Sequence, residues 1–268
     1  PIMKNLKSKK VKKTKNKPLF QYDEVFPGFS AHSSDGEILL DQKIHFELEK
    51  NLLRIKHTSF GKVIYLNGSV FNANEIIFHT PSEHKINGKH FDMEMQIIHE
   101  GITNANLSKK IILTFLFERK AGAYNQFIED LDFFNLPDYR NNSIDITKKI
   151  YIPKIFYSIN DENLTIMKPF SFYRYEGSLT FPPCEENVTF YVAAKSVEIS
   201  SAALDMFKEA IKTYKDFEES GSDSDAKGNN RLVQNLNGRE IEYYNHEEIV
   251  GPDPARMVKS PDNEQKHY

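Results

Sequence analysis

The sequence predicts a mainly β (α+β) protein, and three features predict it. From Ile38 onward, short runs rich in β-branched and aromatic residues alternate with turn residues. One run, Lys110 to Phe117, is apolar almost throughout, as a buried strand would be. Only two stretches have the spacing of a surface helix.

In chain order, Lys4 to Lys17 alternates lysine with polar residues and has no core pattern. It reads as a solvated loop or a lysine-guarded edge strand before it reads as a basic contact patch. Strands are expected at Ile44 to Leu48, Leu52 to Ile55, Lys62 to Leu66 (ending at Asn67-Gly68), Glu75 to His79, Phe91 to His99 and Lys110 to Phe117. The first helix is expected over Tyr124 to Phe134, with Phe127, Leu131 and Phe134 as its apolar positions. The second follows Ser200, whose hydroxyl can cap a helix running through Leu204, Phe207 and Ile211. Residues 215–228 are acidic and serine-rich and read as a surface loop. A calcium loop starting at Asp223 fails, because Lys227 stands at a ligand position and Gln234 where a bidentate glutamate is needed. Beyond Arg239 the chain continues with Gly251-Pro252-Asp253-Pro254 and a polar end, either unstructured or a strap onto a partner.

At 268 residues, 39% hydrophobic and 27% charged, the chain has the size and composition of one large globular domain. Its net charge of -3 gives no general drive toward nucleic acid or an anionic membrane, and no apolar run approaches the length of a bilayer span. Internal repeats, a Gly-rich phosphate loop and a Gly-x-Ser-x-Gly elbow are all missing. The only cysteine, Cys184, reads by itself as a buried small hydrophobe. Asn-x-Ser/Thr triplets at Asn67, Asn106, Asn141, Asn163 and Asn187 are compatible with secretion, although so asparagine-rich a chain produces several by chance.

Three blocks point to a family. The first is Phe78-His79-Thr80-Pro81-Ser82-Glu83-His84, then Ile86-Asn87-Gly88-Lys89 and Met93-Glu94-Met95. The second is Gly177-Ser178-Leu179-Thr180-Phe181-Pro182-Pro183-Cys184-Glu185-Glu186-Asn187-Val188, and the third runs from Asn229-Asn230-Arg231 through Gln234 and Leu236 to Asn237-Gly238-Arg239. In this order, over most of the chain, they resemble the metal-strand, GSLTTPPC and closing motifs of the α-carbonic anhydrases. The resemblance implies a large, mostly antiparallel central sheet with a few surface helices, a domain over residues 1–239 and an extension over 240–268. It also implies an upstream segment, because Pro1-Ile2 is similar to the middle of the family's QSPI motif. A cysteine in that segment would pair with Cys184, which favours a secretory or endomembrane protein over a cytoplasmic one.

The family hydrates carbon dioxide reversibly with a zinc-bound hydroxide, and its zinc sits on three histidines. Residues two apart on a strand face the same side, so a His-x-His pair presents two ligands and a neighbouring strand the third. Here the three positions are Ile77, His79 and Gln96. Isoleucine binds no metal, and an amide oxygen is a far poorer zinc donor than imidazole. His99, three residues from Gln96, is expected to face the other side of the sheet, and His84 to sit in a loop. Glu83 and Thr180 match the family's gate pair, in which the hydroxyl orients zinc hydroxide and donates to the carboxylate. Glu94 matches the carboxylate that orients the third ligand, and here it would face Gln96. Leu179 and Phe181 fall at the pocket; Phe181 replaces a threonine and should narrow the space over the metal position. The proton-shuttle histidine falls near Leu53.

These departures imply a carbonic anhydrase-related protein without hydration activity, with no cofactor expected, acting as a structural or protein-interaction module. Its partner contacts would lie in the N-terminal basic stretch or the C-terminal tail. The alternative is an active zinc-dependent carbonic anhydrase with a non-standard site, similar to the eta class with its two histidines and a glutamine. Gln96 looks like that amide ligand, and Ile77 leaves the set one histidine short.

Overall fold

The computed structural model describes residues 18–25, 31–32, 38–39, 44–49, 52–65, 67–138, 140–156, 170–181, 183–218, 228–231, 234 and 237–244. Strands in chain order are β1 (Leu19–Tyr22), β2 (Ala31–His32), β3 (Ile38–Leu39), β4 (His45–Glu49), β5 (Leu52–Ile64), β6 (Val70–His79), β7 (Lys85–Ile86), β8 (Lys89–His90), β9 (Met93–Gly101) and β10 (Lys110–Lys120). After helix α1 (Gln126–Asp130) come β11 (Ser143–Asp145), β12 (Phe172–Ser178), β13 (Glu186–Ala193) and β14 (Val197–Ser200), then α2 (Ser201–Glu218) and β15 (Glu242–Tyr244). Eleven of the strands form one sheet, ordered β11-β4-β5-β6-β9-β10-β13-β12-β15, with β1 beside β5 and β14 beside β10. Among the described pairs only β10–β13 and β10–β14 run parallel.

Alternation along the strands gives this sheet two different faces. On β10, Ile111, Leu113, Phe115 and Phe117 enter a large core that also takes Phe78, Phe133 and, from α2, Leu204, Phe207 and Ile211. Ile112 and Leu116 point the other way, into a second cluster with Ile77, Ile98, Leu179, Val188, Phe190 and Val192. The central strands are therefore apolar on both sides, which is why Lys110 to Phe117 reads as one continuous run. The candidate site lies on the face of the second cluster.

A register shift between Ala73 and Glu75 sets which residues of β6 reach that face. Ala73, Ile76 and Phe78 belong to the large core, and Ile77 to the opposite cluster. Without the extra residue, the alternation beginning at Phe71 and Ala73 would send Ile77 and His79 into the large core.

Several expectations need correction. Leu52 to Ile55 and Lys62 to Leu66 are parts of the single strand β5, which bends through a register shift between Lys56 and Gly61. The first helix is far shorter than Tyr124 to Phe134. Asn125 caps it by accepting from the Ile128 N–H, and Asp132 at φ 55 ends it. That break advances the phase by one residue, so Phe133 is buried while Phe134 is 51% exposed. The second helix starts as expected, with Ser200 Oγ accepting from the Ala203 N–H at 3.2 Å, but it runs on to Glu218 and takes the first residues of the acidic stretch. Glu242–Tyr244, placed in the extension by the sequence, joins β12 as a sheet strand. Asn106 is buried, its side chain bonded to Val70 and Thr103, so the folded protein does not present that triplet. Lys4 to Lys17, residues 219–227 and the chain after Tyr244 lie outside the described residues.

Candidate functional site

Ile77 on β6 stands directly opposite Gln96 on β9, and His79 opposite Glu94. The three positions that the resemblance assigns to a metal thus converge on one face. Ile77 is fully buried in the second apolar cluster. Its neighbour on the other side is Arg54 of β5, with its guanidinium 5.7 Å from the Phe181 ring and paired with Glu49 (3.2 Å) and Glu75 (3.4 Å). Burial raises the Glu75 carboxyl above its ordinary range, against the pull of Arg54. Leu179 belongs to the same cluster as Ile77 and Phe181 packs against it, so both border the pocket.

Gln96 is locked by its own hydrogen bonds. Its Nε2 donates to Glu83 Oε2 at 2.9 Å and to Glu94 Oε1 at 2.8 Å. Both partners accept only, which fixes the amide orientation and leaves Oε1 as the other end. Glu94 also receives the His84 backbone N–H and His84 Nδ1, each at 2.8 Å, while His84 Nε2 meets the Tyr175 hydroxyl at 2.6 Å. Burial pushes the Glu94 carboxyl up, but the His84 ring and these hydrogen bonds outweigh it and hold the group well below the usual carboxylate range. The glutamine, two glutamates, histidine and tyrosine form one buried network.

His79 is held from the closing motif. Its Nδ1 lies 3.4 Å from the Asn229 carbonyl oxygen and 3.6 Å from Glu83 Oε1, so the ring proton belongs on Nδ1 and Nε2 carries the lone pair. Asn229 accepts from the Thr80 N–H at 2.7 Å and donates to Phe78 O at 2.9 Å, tying the end of β6 to residues 228–231. Gly228 has to be glycine here, because a Cβ would fall 1.8 Å from Thr80 O.

Among the described residues the gate pair is not hydrogen-bonded. Glu83 accepts instead from Gln96 and from the Arg231 N–H at 3.1 Å, and Thr180 Oγ1 has no partner. The two Glu83 oxygens are thus taken up by the Gln96 amide and the Arg231 N–H. Leu53 is not a shuttle position, because it is fully buried in the large core on the other face. His99 does face away from the site. Its Nδ1 donates to Ile111 O at 3.1 Å, its Nε2 accepts from the Tyr22 hydroxyl at 2.9 Å, and burial lowers its pKa to about 4. The sequence missed His84 as a buried member of the network, and Tyr175, Asn229 and Arg54 as neighbours. Only the adjacency of Glu83 and His84 hinted at the first. Cys184 is half-buried at φ 59, with the Arg231 guanidinium 3.4 Å from its sulfur.

A tetrahedral zinc site needs three good protein donors beside its water. Here one position has no lone pair and one offers an amide oxygen, leaving His79 Nε2 as the only imidazole donor. No group of three or more His, Cys, Asp or Glu among the described residues is arranged to hold a metal. The residues do not fit a family-type zinc ion.

Comparison with known proteins matches this architecture. The family model for eukaryotic-type carbonic anhydrase covers residues 2–245. A carbonic anhydrase of Klebsiella pneumoniae is 29% identical over 211 residues, 79% of this chain and 71% of its own length. Dioscorin DB3L of Dioscorea polystachya is 28% identical over 69% of this chain, and the match spans only 61% of the dioscorin. Among solved structures, the α-carbonic anhydrase of Thermovibrio ammonificans with the inhibitor sulfanilamide superposes with a TM-score of 0.57 at 26% identity, over 76% of each chain. A dioscorin complexed with ascorbate shares the fold with a TM-score of 0.64 at 23% identity, covering 91% of this chain and 84% of its own. With a family model matching nearly its whole length and a mostly antiparallel sheet that aligns the motif positions on one face, the chain belongs to the α-carbonic anhydrase family.

Proposed function

We propose that this chain is a catalytically silent carbonic anhydrase-related protein that keeps the family scaffold as a structural or protein-interaction module. The observation that carries the reading is Ile77, which fills the first ligand position with an apolar side chain embedded in a hydrophobic cluster. Two changes reinforce it. Gln96 spends its amide N–H groups on Glu83 and Glu94, and Thr180 is not hydrogen-bonded to Glu83. Partner contacts are assigned to the basic stretch at Lys4 to Lys17 and to the tail after Arg239. Secretory or endomembrane placement follows from the pairing that the family gives the Cys184 position.

One observation favours the second reading, an active enzyme with a non-standard site. Both His79 Nε2 and Gln96 Oε1 are buried without a hydrogen-bond partner among the described residues, and both could ligate a metal. Metal analysis of purified protein after equilibration with zinc and removal of the excess decides between them. The silent reading expects far less than one zinc per chain, whereas a stoichiometric zinc content would refute it.

A further inference from the structure

The degenerate centre has kept polar atoms that no described residue satisfies. His79 Nε2, Gln96 Oε1 and Thr180 Oγ1 are all buried with no partner among the described residues, and their residues are 2%, 0% and 6% exposed. Buried polar atoms are ordinarily paired, so bare acceptors on His79 and Gln96, both of which contact Glu83, with a third next to Leu179, point to a ligand that pairs with them. Their polarity is fixed. Gln96 turns Nε2 to two carboxylates and so presents an acceptor oxygen. His79 turns Nδ1 to a carbonyl and a carboxylate and so presents a lone pair. The Thr180 hydroxyl can accept as well.

We propose that this pocket binds a small cation rich in N–H donors, of the ammonium or primary-amine class, instead of an anion. The inference rests on the reading that zinc is not held here. An anion would meet the lone pairs of His79 Nε2 and Gln96 Oε1 with the Glu83 and Glu94 carboxylates behind them, and only the Thr180 hydroxyl could donate to it. An ammonium group has donors for all three acceptors and an opposite charge for the carboxylates. Ile77 and Leu179 share the apolar cluster on this face and offer such a group no hydrogen bond. Arg54, opposite Ile77 on β5, is already paired with Glu49 and Glu75, so the site face does not gain net positive charge from it.

The test is the thermal stability of the full chain, shown by metal analysis to be zinc-free, titrated with ammonium chloride or methylammonium chloride against sodium chloride, sodium bicarbonate and sodium acetate at equal ionic strength. The expected result is a saturable rise in Tm with the two ammonium salts alone. Thr180→Val, which removes one bare acceptor and no existing hydrogen bond, should leave the unliganded Tm nearly unchanged and weaken ammonium binding about tenfold or more. A zinc-free chain that responds to bicarbonate or acetate, or that shows no saturable response to ammonium, overturns this inference alone. A zinc-loaded chain overturns the reading beneath it, and this inference with it.

Discussion

Ile77 shares its cluster with Ile98, Leu116, Leu179 and Val192 and is fully buried. Replacing it with alanine removes buried methyl groups and leaves a cavity, so Ile77→Ala should cost about 2–5 kcal/mol in urea unfolding. The reverse engineering is more informative. Glu94 still faces position 96 and the Asn229 carbonyl still faces His79 Nδ1, so the groups that orient the ligands remain in place. Ile77→His combined with Gln96→His should therefore retain about one zinc per chain after removal of excess metal, where the unaltered chain retains little. If the double variant folds and still fails to hold zinc, the scaffold around the centre has degenerated as well. At this scale much was legible, because the i, i+2 spacing of Ile77 with His79 and of Glu94 with Gln96 fixes which side chains share a face. The missing hydrogen bond between Thr180 and Glu83 was not legible, since Glu83 takes its partners from residues far apart in sequence, Gln96 and Arg231.

Local backbone geometry decided the elements that sequence periodicity misjudged. The positive φ at Asp132 moved the phase by a residue, which is enough to exchange Phe134 for Phe133, and the register shift between Lys56 and Gly61 carries β5 as one strand through two stretches that read as separate. Neither break carries a proline to announce it. The loop at Gly228 to Arg231 is a second case. Its sequence motif marked it as family-like, while its role in tying the end of β6 through Asn229 is visible only from hydrogen bonds across the fold. Asn229→Ala would strand the Thr80 N–H and the Phe78 carbonyl, and should destabilise the protein by about 2–3 kcal/mol in urea unfolding. A cost within about 0.5 kcal/mol would show that this tie does not hold the strand end.

For the whole molecule, the mainly β class was legible because short strands and turns follow one another along most of the chain, and the two-faced central strands reflect a core on either side. The parallel pairings of β10 were not, because they join residues far apart in sequence. The buried histidine on the large-core face makes global stability depend on pH. His99 has a folded pKa of about 4 against an ordinary value of 6.5, so protonation favours the unfolded chain. Its contribution is fully present above pH 6.5 and is lost as pH falls toward 4, by roughly 3 kcal/mol in all. Glu94 is shifted down from 4.5, so its share is present above that value and disappears at still lower pH. Urea unfolding between pH 7 and 4 should show the first loss, and His99→Gln should flatten it.

All three scales meet in the claim that this scaffold has given up the reaction of its family. Stopped-flow measurement of carbon dioxide hydration in the presence of added zinc tests it most directly, with the Ile77→His and Gln96→His double variant run beside the unaltered chain. The unaltered chain should show no rate above the uncatalysed background. A zinc-dependent, sulfonamide-sensitive rate from that chain would contradict it.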